Sequence, residues 1–207
     1  MQKRKEMSLT AVKQPEVDHP AEPSYWTPER LKRVNNLLLG SGTTTEKRIS
    51  LPDGPKVWMN LITLDMNSDM KPDVVWDMDN LPLPFPDNCF DEIHAYEILE
   101  HTGRQGDFRF FFGQFSDFWR MLKPGGHFVA TVPMWDSPWA WGDPSHTRVI
   151  TQGSLVFLTQ KEYENQVGKT SMSDFRRWYH ADFELVGANN TEHQFRFVLK
   201  AHKNVAL

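Results

Sequence analysis

Two apolar runs, a helix-length segment and a third apolar run succeed one another between Lys71 and Trp135, and few folds accept that order. The first part reads KPDVVWDMDNLPLPFPDNCFDEIHAYEILEH and the last MLKPGGHFVATVPMW. Val74-Val75 and Phe90 to Ala95 have strand length and are bounded by Pro, Asn and Asp turn signals. From about Asp107 to Leu122, apolar residues at 108, 111, 112, 115, 118, 119 and 122 predict an amphipathic helix. Lys123-Pro-Gly-Gly126 stops that helix, and His127 to Val132 is strand-like again. Strand, strand, helix, strand with tight connections is a parallel α/β unit.

Upstream, Leu37-Leu38-Leu39 predicts a buried strand running into Gly40-Ser41-Gly42. Glycine there lets the backbone approach a ligand where a Cβ would clash. The full dinucleotide fingerprint is missing, because Thr43, Thr44 and Thr45 follow and no third glycine appears. Pro52, Gly54 and Pro55 leave residues 43–57 room for only a short helix. Leu61 to Asp65 predicts a second strand ending in an acid, about twenty residues after Gly42. Thr27-Pro28 resembles a helix start running to Val34. Residues 1 to about 25 read either as a flexible tail or as an arm over the active site or a neighbouring subunit. The remainder, 26–207, is expected to form one domain.

Downstream, Ser154 to Leu158 and Ser173 to Tyr179 read as short helices. Phe183 to Ala188 and Gln194 to Lys200 fit a closing antiparallel pair. Trp135, Trp139 and Trp141 sit on a Pro/Gly-rich loop (134–150) and would be costly to leave bare, so that loop is expected to cover a site or meet a partner.

Leu83-Pro-Phe-Pro-Asp87, Phe90-Asp91-Glu92-Ile93, Leu99-Glu100-His101 and Leu122-Lys-Pro-Gly-Gly126, in this order, resemble class I S-adenosylmethionine-dependent methyltransferases, and most closely the type 11 branch. The resemblance covers roughly Asn35 to Arg148. It implies an α/β, Rossmann-like, doubly wound sheet of seven mostly parallel strands with an antiparallel C-terminal strand. It also implies S-adenosyl-L-methionine as cofactor, held by Gly40, Ser41, Gly42, Asp65, Met66, Asp77, Met78 and Tyr96. In the family, an acid at the end of strand two accepts hydrogen bonds from both ribose hydroxyls, which suits the two oxygens of Asp65. A plain strand-end Asp is the alternative. Asp77, with Asp79 as competitor, falls near the adenine amino group, Met78 beside the ring, and residues 81–86 as an extended cover.

Carboxyl ends of parallel strands line the ligand crevice, so Tyr96 and Glu97 are expected to face the reactive end of the cofactor. His101 is either a base or substrate-orienting group, or a capping or surface histidine. Asp143-Pro-Ser-His-Thr-Arg148 resembles a DP-x-H-x-R element of type 11 relatives, in which His146 and Arg148 face the substrate cavity with Trp135 nearby. An ion pair pinning the loop is the alternative.

Methyl transfer from a sulfonium is an in-line displacement, so positioning and water exclusion dominate, with His101, His146 or Glu97 available as base. The acceptor is expected to be a small molecule. A net charge of −4 supplies no global field for nucleic acid, and Ala95-Tyr96-Glu97-Ile98 stands where DNA amino-methyltransferases carry Asp/Asn-Pro-Pro-aromatic. No apolar leader or span appears, and the single Cys89 fits a reducing cytoplasm. No Cys/His spacing announces a metal site, and a homodimer is left open. The rival readings are a catalytically silent binding or scaffold protein of the same fold and another nucleotide-dependent Rossmann enzyme.

Overall fold

The computed structural model describes Arg33 and residues 35–203. The expected N-terminal tail and the helix expected from Thr27 to Val34 lie outside the described residues. Seven strands form one sheet: β1 (Asn36–Leu39), β2 (Leu61–Asp65), β3 (Val74–Val75), β4 (Phe90–Tyr96), β5 (Leu122–Pro133), β6 (Phe183–Asn190) and β7 (Gln194–Ala201). Their spatial order is β3-β2-β1-β4-β5-β7-β6. The first five strands pair in parallel, while β7 runs antiparallel to both β5 and β6. The expected Rossmann-like architecture is therefore present. Strand order reverses between β1 and β4, and that switch point puts the ligand crevice at their carboxyl ends.

Among the described residues there are also helices α1 (Phe108–Met121), α2 (Pro138–Gly142), α3 (Gln152–Leu155) and α4 (Gln160–Gln166), with 3-10 turns at Ser68–Met70, Leu99–His101 and Val156–Leu158. Asp107 caps α1 by accepting the Phe110 N–H at 3.0 Å, an arrangement that contributes about 1 kcal/mol. The helix buries Phe112, Phe115, Phe118 and Met121 against the sheet, with Phe118 stacked on Phe128 at 4.6 Å. Residues 81–86, expected to run extended without a helix, contain none and are held to α1. The Leu83 N–H donates to buried Asp117 Oδ2 at 2.6 Å, and Arg120 donates to the carbonyls of Phe85 (2.6 Å) and Leu83 (3.2 Å), which clamps the segment to α1.

The helix expected at 173–179 does not form; only a turn at 176–178 appears. Asp174 accepts hydrogen bonds from both the backbone and the side chain of Arg176, and such local bonding competes with a helical ladder. Phe175 and Tyr179 instead join Phe112, at ring distances of 4.9 and 5.0 Å. Residues 154–158 split between the end of α3 and a 3-10 turn at Val156–Leu158.

The two faces of the sheet are covered differently. Ile93 and Ala95 of β4 face α1 and the main core, whereas Glu92, His94 and Tyr96 face the other way. That second face is packed by Ile49, Leu51 and Trp58, from a β1–β2 connection without a helix, and by Leu61 of β2. A polar staple holds the connection down. Lys47 Nζ lies 2.8 Å from Glu92 Oε2, donates to the Pro55 carbonyl at 3.0 Å, and sits 5.3 Å from the centre of the Trp58 ring. His94 approaches Glu92 Oε2 at 2.7 Å and the Tyr96 hydroxyl at 2.6 Å, and the Ile49 N–H donates to that hydroxyl at 3.2 Å.

The proton positions follow from donor counting. Ionised Glu92 only accepts, so His94 Nε2 carries the proton and Nδ1 accepts from Tyr96. Every member then has a partner. Among the described residues, no helix is long and apolar enough to cross a membrane.

Candidate active site

β1 delivers the chain into Gly40-Ser41-Gly42, where both glycines adopt positive φ, 59° and 53°. At Gly40 a Cβ would lie 2.4 Å from Ile98 Cγ1, so the loop passes directly under the turn that follows β4. The Gly42 N–H donates to Asp65 Oδ2 at 2.8 Å, and the Asn67 N–H donates to Asp65 Oδ1 at 2.8 Å. The glycine loop and the acid ending β2 therefore meet at the crevice. Each Asp65 oxygen keeps a second lone pair for an incoming donor.

The other residues expected around a cofactor divide into two groups. Ser41 is buried beneath the loop, its N–H donating to the Leu64 carbonyl at 3.3 Å. Met66 is exposed beside Asp65, and Asp77 is half-buried, accepting the Asp79 N–H at 2.9 Å. Met78, expected beside the adenine ring, is instead buried in the main core. Tyr96, expected at the reactive end, points to the opposite face and is engaged by His94 and Ile49. The reason is strand alternation: with Ile93 and Ala95 in the core, Tyr96 faces away.

At the carboxyl end of β4 the chain turns sharply. Glu97 adopts φ 52°, and Leu99–His101 forms a 3-10 turn. The loop after β5 folds back onto this turn. The Thr147 N–H and hydroxyl both donate to the Glu100 carbonyl, at 2.8 and 3.1 Å. Arg148 Nε donates to the Leu99 carbonyl at 2.9 Å. This stitching places the rings of His101 and His146 4.7 Å apart and 79° to one another.

Glu100, only 2 % exposed, joins them, and neither of its oxygens accepts a hydrogen bond from another described residue. Burial, reinforced by the charge of Glu97, pushes its carboxyl up to about 8. Burial also raises Glu97, and one of its oxygens is likewise buried without a partner. Burial and the neighbouring His146 lower His101, which favours a neutral imidazole. The Ser145 hydroxyl donates to Asp143 Oδ1 at 2.6 Å and sits 3.1 Å from His101 Nδ1. A hydroxyl has one proton, already given to Asp143, so His101 Nδ1–H must donate and Nε2 is left with its lone pair. The arrangement is equipped to take up a proton or a cation.

Arg148 does not present its guanidinium to a substrate. It is buried, over the Phe110 ring at 5.6 Å, and donates to Leu99, Thr102 and Gln114. It pins the loop, but through neutral oxygens rather than the ion pair considered from sequence. Trp135, Trp139 and Trp141 are 57, 63 and 70 % exposed, so they do not pack over the site. Glu100 and Ser145 had no role in the sequence reading. The available signal was an acid set between apolar Leu99 and titratable His101. Arg148 and Ile150 also border a cleft of about 290 Å³ walled by Phe108, Phe111, Phe112, Phe157 and Phe175, which none of the cluster residues lines.

Residues 48–130 match the family model of the methyltransferase domain, type 11. A sterol 24-C-methyltransferase of Pneumocystis carinii is 29% identical over 72 residues; the match spans 35% of this chain and 18% of that protein. An S-adenosylmethionine-dependent methyltransferase from Archaeoglobus fulgidus aligns with TM-score 0.48 and 16% identity, over 83% of this chain and 88% of that one. The methyltransferase in a complex with the Haloferax volcanii Trm112 activator gives TM-score 0.49 and 18% identity, over 84% and 88%.

Proposed function

We propose that this chain, which carries a class I S-adenosylmethionine-dependent methyltransferase domain of the type 11 branch, methylates a small-molecule acceptor at the Glu97–His101–His146 cluster. The observation that carries this reading is the pairing of Gly42 N–H with Asp65 across the carboxyl ends of β1 and β2. It leaves an acid with free lone pairs beside a loop whose backbone is open at Gly42, where a Cβ would meet nothing within 4 Å. Gly40 to Gly42 and Asp65 would hold the cofactor, with Met66 and Asp77 along the same edge. Bound there, S-adenosylmethionine supplies an electrophilic methyl group on a neutral leaving group.

The chain's own contribution is placement and dryness. Glu97 and the 3-10 turn sit at the end of β4, next to the glycine loop through Ile98, so an acceptor beside them is close to the crevice. Glu97, its carboxyl raised by burial, takes the proton of a hydroxyl or acid acceptor, and His101 and His146 orient it. The aromatic cleft supports an acceptor with apolar surface, as does the similarity to a sterol methyltransferase. The lone cysteine, Cys89, is buried and unpaired, which suits a reducing cytoplasm.

Calorimetric titration with S-adenosylmethionine and S-adenosylhomocysteine tests the reading. The wild type is expected to bind both. Asp65→Ala is expected to weaken binding about 10- to 100-fold, since hydrogen bonds to a charged group contribute about 1.5–3 kcal/mol. A folded wild type that binds neither ligand would sink the proposal.

A further inference from the structure

The cluster at the ends of β4 and β5 is missing a positive charge. Glu100 is 2 % exposed, yet no described residue donates to either of its oxygens. A carboxylate left in that state is costly unless something satisfies it. His146 Nδ1 is also buried and without a partner. One ligand atom each from Glu100, His101 and His146 lies within 4.8 Å of the others. We propose that Glu100, His101 and His146 bind a first-row divalent metal cation.

Three observations beyond proximity carry the proposal. The first is the state of His101, which donates Nδ1–H to Ser145, itself held by Asp143, and so keeps Nε2 unprotonated. Metal-binding histidines are oriented in this way, with the other ring nitrogen tied to an outer acceptor. The second is rigidity. Thr147 and Arg148 tie the β5 loop to the Leu99–His101 turn by four hydrogen bonds, so the donors are held together before any ligand arrives. The third is the surrounding charge. Exposed Asp143 places Oδ2 3.8 Å from His146 Nε2, and half-buried Glu97 adds an acid with one buried oxygen.

Metal–ligand bonds of about 2.0–2.2 Å separate donors by roughly 3–4 Å, so small side-chain rotations close the present spacing. Two imidazoles and one carboxylate suit Mn²⁺, Fe²⁺, Co²⁺ or Zn²⁺ better than Mg²⁺ or Ca²⁺, which prefer oxygen alone. Three protein donors leave open positions for water or an oxygen of a second ligand. Binding stands on these residues alone; only service to a methyl acceptor rests on the transferase reading.

The test is titration of the full-length, metal-stripped protein with CoCl₂, followed by visible absorption and by calorimetry. One equivalent is expected to bind the wild type. His101→Ala and His146→Ala are expected to lose about 100-fold or more, above the 10- to 100-fold typical of outer partners. His193→Ala, at an exposed site, is expected to bind as the wild type does. Glu100→Gln guards against misfolding, since the amide keeps the shape of the buried acid; it is expected to melt as the metal-free wild type does and to ignore Co²⁺. Co²⁺ binding that survives His146→Ala and Glu100→Gln, or none by the wild type, would overturn the site. S-adenosylhomocysteine is titrated into the same samples. Its failure with Co²⁺ binding intact removes the transferase reading alone, and the reverse removes the metal site alone.

Discussion

Glu92→Ala is expected to lower the stability of this protein by about 3–5 kcal/mol, the loss typical of leaving one partner of a buried ion pair uncompensated. Lys47 is the group stranded. Its side chain is 2 % exposed, and among the described residues its partners besides Glu92 are the Pro55 carbonyl and the Trp58 face. His94 would lose the acceptor for Nε2 at the same time. Because this staple stands where a crossover helix would otherwise cover the sheet, its loss is expected to free residues 43–60. Urea unfolding measures the stability change, and amide exchange at Ile49 reports the local release. A loss below about 1 kcal/mol, the range of exposed pairs, would mean the pair is a surface contact and not a staple.

The same relay sets a pH dependence. Burial holds His94 below its ordinary 6.5 despite the opposing pull of Glu92, so the unfolded chain takes up its proton first. The His94 contribution is therefore complete above pH 6.5 and lost as pH falls below it. Burial opposes the charge of Glu92, but hydrogen bonds from His94 and Lys47 override it and hold the carboxyl at about 2. Its contribution is complete above 4.5 and lost as pH falls from there towards 2. In urea midpoints against pH, His94→Phe is expected to make the limb that begins at 6.5 shallower, leaving the share of His101 and His127, which burial also lowers. An identical slope in the variant would assign that limb to another group.

Gly40→Ala is the second large effect. The substitution meets two separate penalties: a non-glycine residue at φ 59°, about 1–2 kcal/mol, and a Cβ 2.4 Å from Ile98, about 1–3 kcal/mol for overpacking. A total near 2–5 kcal/mol is expected, with cofactor affinity falling as the loop shifts. Ile98→Ala in the same chain is expected to recover the overpacking part and leave the backbone part. A double variant no better than Gly40→Ala would show that backbone conformation alone governs the loop.

Much of this architecture was legible in the chain. Strand periodicity, Lys123-Pro-Gly-Gly126 and the aromatic spacing of α1 specify the parallel sheet and its core helix, because period and turn chemistry are local properties. Gly40, Gly42 and Asp65 were legible for the same reason, each marking the end of a strand.

What lies between strands was decided by tertiary structure. Tyr96 went to the far face once β4 took its register, a choice set by which alternate residues the sheet buries, while Met78, in the turn beyond β3, packed into the core. Arg148 was read as facing a substrate or as half of an ion pair, and it binds Leu99, Thr102 and Gln114 instead, partners that only chain crossing supplies. Glu100, His101 and His146 come from two loops more than forty residues apart, so no spacing in the sequence foretells their meeting. Local physics specified the strands and their ends. Long-range packing decided which polar groups would be buried together, because burial depends on what arrives from elsewhere in the chain.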